Sequence, residues 1–289
     1  MKILLWFVAM GLIGRLELAA ADKKIVLVAG RPSHGPGQHE HNAGVQLLHK
    51  CLQGVPGVTS TFHLNGWPKD PRAFDGADTI LFFADGGGGH PAIQGEHLQI
   101  LGESMKKGVG LVCVHYAVEV PKDRGGAEFL QWLGGYFETF WSVNPHWDAE
   151  FKEFPTHPIT RGVRSFKIRD EWYYHMRFPE NMKGVTPILT AVPPDSTRGT
   201  TDSTHGSNPH VRARKGMPEH VAWAFERPDG GRGFGFTGAH FHKNWGDENF
   251  RKIVLNALLW TAKVEVPRDG VDCPITAEDL TKNLDPKGK

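Results

Sequence analysis

Gly110-Leu111-Val112-Cys113-Val114-His115 is an unbroken apolar run that ends on an imidazole. A run without a polar residue, bounded by Gly108 and a histidine, suits a strand buried on both faces of a parallel sheet. Two similar runs precede it. Ile25-Val26-Leu27-Val28-Ala29 is followed at once by Gly30, and Thr79-Ile80-Leu81-Phe82-Phe83 ends at Asp85 and four glycines. Between them, His41 to Leu52 carries Val45, Leu47, Leu48 and Leu52 at helical spacing and is closed by Gly54 and Pro56. Val58 to Leu64 alternates as a strand, and Ile93 to Lys107 reads as a helix stopped by Gly108. The order strand, helix, strand, strand, helix, strand predicts a doubly wound, flavodoxin-like α/β fold. Its sheet is mostly parallel, with helices on both faces.

The second half is richer in strands, predicted over Phe166 to Ile168, Pro187 to Val192, Val221 to Phe225 and Gly233 to Thr237. Asn249 to Ala262 has the apolar period of a closing helix. Asp195 to Gly216 is polar and aperiodic, as expected of a lid, a binding loop or a disordered segment. Ahead of the domain, Lys2, the apolar run Ile3 to Ile13 and Ala19-Ala20-Ala21 form the pattern of a cleaved export leader. The expected organisation is therefore a signal peptide over 1–21, one α/β domain over 22–265 and a charged tail over 266–289. The protein is expected to be exported, periplasmic or secreted, with no membrane span after cleavage.

Loss of the leader removes two cations and one anion, so the formal charge falls from +1 to 0. Without a basic stripe the chain lacks the electrostatic footprint of a nucleic-acid binder. Three cysteines, Cys51, Cys113 and Cys273, do not make a disulfide framework, and no C-x-x-C is present. Cys113 is expected to be a small buried hydrophobe. Sixteen histidines dominate the chemical inventory instead.

Ligands of doubly wound sheets bind outside the carboxyl ends of the strands, and several histidines fall there. His39-Glu40-His41 follows the first strand, His90 the glycine run after the third, His115 the fourth, and His240 the strand Gly233 to Thr237. For His39 and His41, metal ligation, helix capping by Glu40 and solvent exposure are all open. His115 stands where doubly wound enzymes place a nucleophile, but an imidazole there suits a base, a proton donor or a metal ligand. In Asp170-Glu171-Trp172-Tyr173-Tyr174-His175, an extended backbone puts Glu171, Tyr173 and His175 on one face. A buried carboxylate there needs a metal or histidine partner. Trp141, Trp147, Trp172 and Trp245 lie beside these polar clusters, and their flat rings suit a sugar face. Gly86 to Gly89 lacks both the P-loop lysine and the dinucleotide spacing, so it permits close backbone approach without implying a nucleotide.

Taken together, the run Gly108 to His115, His157-Pro158-Ile159-Thr160-Arg161-Gly162, Asp170-Glu171-Trp172-Tyr173, Gly231-Arg232-Gly233 leading to Gly238-Ala239-His240, and Phe250-Arg251 with Asn256 to Trp260 form a pattern. On these residues the chain resembles the ThuA-like (trehalose utilisation) proteins, over roughly residues 24 to 265. The resemblance implies the class I glutamine amidotransferase-like fold and a role in sugar catabolism, with oxidised (3-keto) sugars or disaccharides as substrates. His115 stands where the superfamily's cysteine nucleophile would be, so thiolate glutamine hydrolysis is not expected.

The leading expectation is a metal-assisted enzyme acting on a keto-sugar or glycoside by isomerisation, elimination or hydrolysis. A divalent ion, zinc or similar, would be held by some of His39, His41, His115, Glu171 and His240. His115, Glu171 and Tyr173 are the catalytic candidates, and His90 with the four tryptophans the substrate contacts. Two alternatives stand beside it: a metal-free acid–base enzyme using His115 and Glu171, and a carbohydrate-binding protein without turnover.

Overall fold

The computed structural model describes residues 22–287. The expected leader lies outside the described residues. The three apolar runs are strands β1 (Lys23–Ala29), β3 (Thr79–Phe83) and β4 (Gly110–Val114); in β3 and β4 every residue is buried. With β2 (Val58–His63) and β9 (Arg232–Phe236) they form five parallel neighbours in the order β2-β1-β3-β4-β9. Two antiparallel strands, β8 (Glu219–Glu226) and β7 (Val185–Ala191), extend this sheet to seven. The expected α/β class, mostly parallel with a β-rich second half, is the one observed. Among the described residues no helix is long and apolar enough to cross a membrane.

The period of two along each strand divides the core into two layers. Ile25, Leu27, Leu81, Phe83, Val112 and Val114 pack with helices α1 (His41–Leu52) and α4 (Glu248–Thr261). The alternate residues Val26, Val28, Ile80, Phe82, Leu111 and Cys113 pack on the other face, with helices α2 (His97–Lys106) and α3 (Gly126–Trp132). The predicted start of α2 at Ile93 is replaced by a 3-10 turn over Pro91–Ile93, because Pro91 occupies the first position of that turn and Gln94 is extended.

Three features differ from expectation. A separate antiparallel pair, β5 (His146–Phe151) and β6 (Phe166–Glu171), stands outside the main sheet. And Cys51 on α1 is bridged to Cys273, with Cα atoms 5.3 Å apart. The residues past 266, expected as a tail, return along α1: Lys50 pairs with Asp279, Asp285 N–H donates to Glu40, and Asn42 donates to Asp285. Cys113 is free and buried.

Candidate metal centre

Four side chains from four loops and strands converge above the carboxyl ends of β1, β4 and β9. They are His39, His115, Glu171 and His240, all buried or nearly so, and one ligand atom from each lies within 4.8 Å of the others. Their placement depends on unusual backbone. His39, His115 and Ala239 adopt φ of 45°, 57° and 90°, the left-handed region that L side chains avoid. At His115 this turns the chain sharply off β4 and brings the ring over the sheet edge. Such strain costs about 1–3 kcal/mol per residue and persists where surrounding contacts over-determine it.

Those contacts are explicit. Asp170, fully buried on β6, accepts from Ala239 N–H (2.8 Å), His240 N–H (3.0 Å) and Asn244 Nδ2 (2.9 Å), fixing the His240 loop. His39 N–H donates to His240 O at 3.0 Å, and His242 N–H to Gly37 O at 2.9 Å, zipping the two histidine loops together. Glu171, next to Asp170, is left to face the centre.

The hydrogen bonds also set the tautomers. His115 Nδ1 lies 2.8 Å from Thr237 O, a carbonyl that can only accept, and His39 Nδ1 lies 2.8 Å from Asp85 Oδ1. Both rings therefore carry their proton on Nδ1. Yet His39 Nε2 and His115 Nε2 face each other at 3.0 Å, and His39 Nε2 lies 3.1 Å from His240 Nδ1. Glu171 Oε2 closes the group, 3.1 Å from His240 Nδ1 and 3.5 Å from His115 Nε2. Lone pairs aimed at one another need a cation between them. A proton serves one pair; four converging atoms suit a metal ion. A tetrahedral zinc with ligands at 2.0–2.1 Å requires edges of about 3.3 Å, and the four distances above, 3.0 to 3.5 Å, bracket that value. Asp85 and the Thr237 carbonyl are then the outer partners that orient ligating imidazoles.

The charge states agree with this. Burial lowers the His39 pKa to about 2 despite the bond to Asp85, so its ring stays neutral. Burial raises the Glu171 carboxyl, but its neighbours His115 and His240 outweigh that and keep it an anion, well below its usual range. Tyr173, buried at 2% exposure, has its OH 3.3 Å from His115 Nε2 and 3.4 Å from Glu171 Oε2. Burial first, and then the Glu171 charge, raises its phenol far above 10, so it remains a donor.

Of the residues singled out from sequence, His39, His115, Glu171, Tyr173 and His240 meet here. His41 does not: its Nδ1–H donates to Arg31 O at 3.0 Å, and its Nε2 lies 3.7 Å from Asp85. His90 spends both nitrogens on backbone, accepting from Ala92 N–H and donating to Ala117 O. Trp147, Trp172 and Trp245 are 2%, 0% and 0% exposed in the core, so the expected sugar-facing rings are packing residues. Trp141 is half-buried among His175, His210 and Arg177, none of them in the centre. Gly86 does mark a close approach: a Cβ there would stand 2.1 Å from Tyr116 O. Sequence reading missed three contributors. Asp85 could have been found as a carboxylate ending β3; Asn144, which donates to Glu171 Oε1 at 3.2 Å, and the Thr237 carbonyl carry no such signal.

The model of the ThuA family, described as trehalose utilisation, matches residues 26–261. No curated protein matches the chain. Among solved structures, a ThuA-like protein of Bacteroides uniformis is similar at TM-score 0.60 and 16% identity, covering 84% of this chain and 93% of that one. A ThuA-like protein of Parabacteroides merdae gives 0.55 and 14%, covering 83% and 90%. At these identities the likeness is one of fold.

Proposed function

Because this chain belongs to the ThuA family of trehalose utilisation, we propose that it is a metal-assisted enzyme acting on a small carbohydrate, a keto-sugar or a glycoside. The observation that carries this reading is the 3.0 Å approach of two imidazole nitrogens whose protons are both committed elsewhere. His39, His115, His240 and Glu171 would hold the ion. A bound zinc or similar ion supplies Lewis acidity toward a carbonyl oxygen and acidifies a bound water. The chain's own residues supply proton handling. The Tyr173 O–H can donate to a substrate oxygen beside the centre. Glu171 Oε1, with one lone pair on Asn144, keeps another to accept a proton. Isomerisation, elimination and hydrolysis each use such a donor–acceptor pair.

The Cys51–Cys273 bridge supports an exported protein, since such bonds persist mainly in oxidising compartments. The metal reading is tested by elemental analysis of protein purified without chelator or nickel resin. About one divalent ion per chain is expected, lost in a Glu171→Gln, His240→Ala double variant that keeps its far-UV circular dichroism. Wild-type protein that carries no metal and takes none up on soaking refutes it.

A further inference from the structure

The strand order places the topological switch between β1 and β3: from β1 the chain runs outward to β2, then returns to β3 on the other side. Above that point lies a crevice of about 660 Å³, lined by residues that follow β1, β2 and β3, among them Arg31, Trp67, Lys69, Asp85, Gln94 and His97. This is the size of a small-molecule site and the position where open α/β sheets bind ligands. Gly30 and Ala84, both in its lining, are packed so closely that a Cβ on Gly30 would stand 2.7 Å from the Ala84 Cα. One wall is the Trp67–His97 stack, with ring centroids 4.0 Å apart.

The charges of this crevice are unbalanced. Asp85, its carboxylate, is engaged by His39 at 2.8 Å, while Arg31 and Lys69 have no ion-pair partner among the described residues. Asp85 is also the wall shared with the metal centre, because His39 carries its other nitrogen into the group of four. We infer that this crevice binds an anionic small molecule, a sugar phosphate or a sugar acid, with Arg31 and Lys69 on its charged group. The carbohydrate part rests on the proposed function; the anion part rests on the crevice alone.

Binding is measured by titration calorimetry on the full chain, stripped of metal and dialysed free of chelator, with glucose 6-phosphate, glucuronate and glucose. At least one of the two anionic sugars is expected to bind tenfold or more tighter than glucose, and the tighter of the two identifies phosphate or carboxylate as the recognised group. Arg31→Gln and Lys69→Gln should each weaken it about tenfold, the loss of one charge-assisted contact, without changing the melting temperature. Anions that bind no tighter than glucose, or variants that bind like wild type, overturn the inference. Since the protein carries no metal in this experiment, failure here leaves the metal reading standing, and failure of the metal reading leaves this one.

Discussion

His115 and His39 face each other through the same nitrogen but are held from behind in different ways. His115 leans on a backbone carbonyl, which no side-chain change removes, whereas His39 leans on Asp85. Asp85→Ala therefore isolates an orienting contact without touching the four ligand atoms. Such outer partners are worth about 10–100-fold in metal affinity. The variant should lose that much in competition against a chromophoric chelator, with Asp85→Asn recovering part of it as a neutral acceptor. Wild-type affinity in Asp85→Ala would remove Asp85 as the orienting partner of His39. At this scale His115 and His240 were legible because each directly follows an apolar strand. His39 and His41 were not separable, because the choice lies in one left-handed residue and one helix start. The tryptophans misled for a related reason. On β5 the exposure alternates, so the polar neighbours of Trp147 point outward and its ring points in. Sequence neighbours on a strand are spatial opposites.

At the level of elements, the parallel half was readable because buried strands of doubly wound sheets are plain apolar runs. β5 was missed although Trp147, Ala149 and Phe151 alternate cleanly with polar residues, since its His-Trp-Asp start draws attention as chemistry. The return of residues 266–287 had no periodicity to announce it; it is built from a disulfide, an ion pair and hydrogen bonds across more than 200 residues. That segment ends on the loop before α1. Asp285 N–H and Gly37 N–H both bond Glu40, and the Lys287 ammonium reaches Gln38 O, one residue from His39. Closing a loop of this length contributes about 2–5 kcal/mol. Cys273→Ser should lower the melting temperature accordingly and expose the segment past 266 to limited proteolysis, with the first cuts C-terminal to Val266 by mass spectrometry. Cuts distributed as in wild type would show that the side-chain contacts alone hold the segment.

For the molecule as a whole, the buried histidines set the response to acid. His41, His90 and His242 are almost fully buried, and burial lowers each to about 4 from an ordinary 6.5. A group whose folded pKa is depressed binds fewer protons folded than unfolded between those two values. Stability therefore rises with pH across that window and is lost as pH falls from about 6.5 toward 4, by up to about 1.4 kcal/mol per pH unit for each such group. Bound metal would add its own pH dependence, so the measurement belongs on metal-stripped protein. His90 offers the cleanest assignment: it lies outside the centre, and both of its nitrogens are tied to backbone. The metal-stripped wild type should lose melting temperature steadily between pH 7 and 5. His90→Gln, which keeps a donor and an acceptor but cannot take up a proton, should start lower and fall less steeply over the same range. Parallel curves would assign the acid sensitivity to the other buried imidazoles and remove His90 from the account.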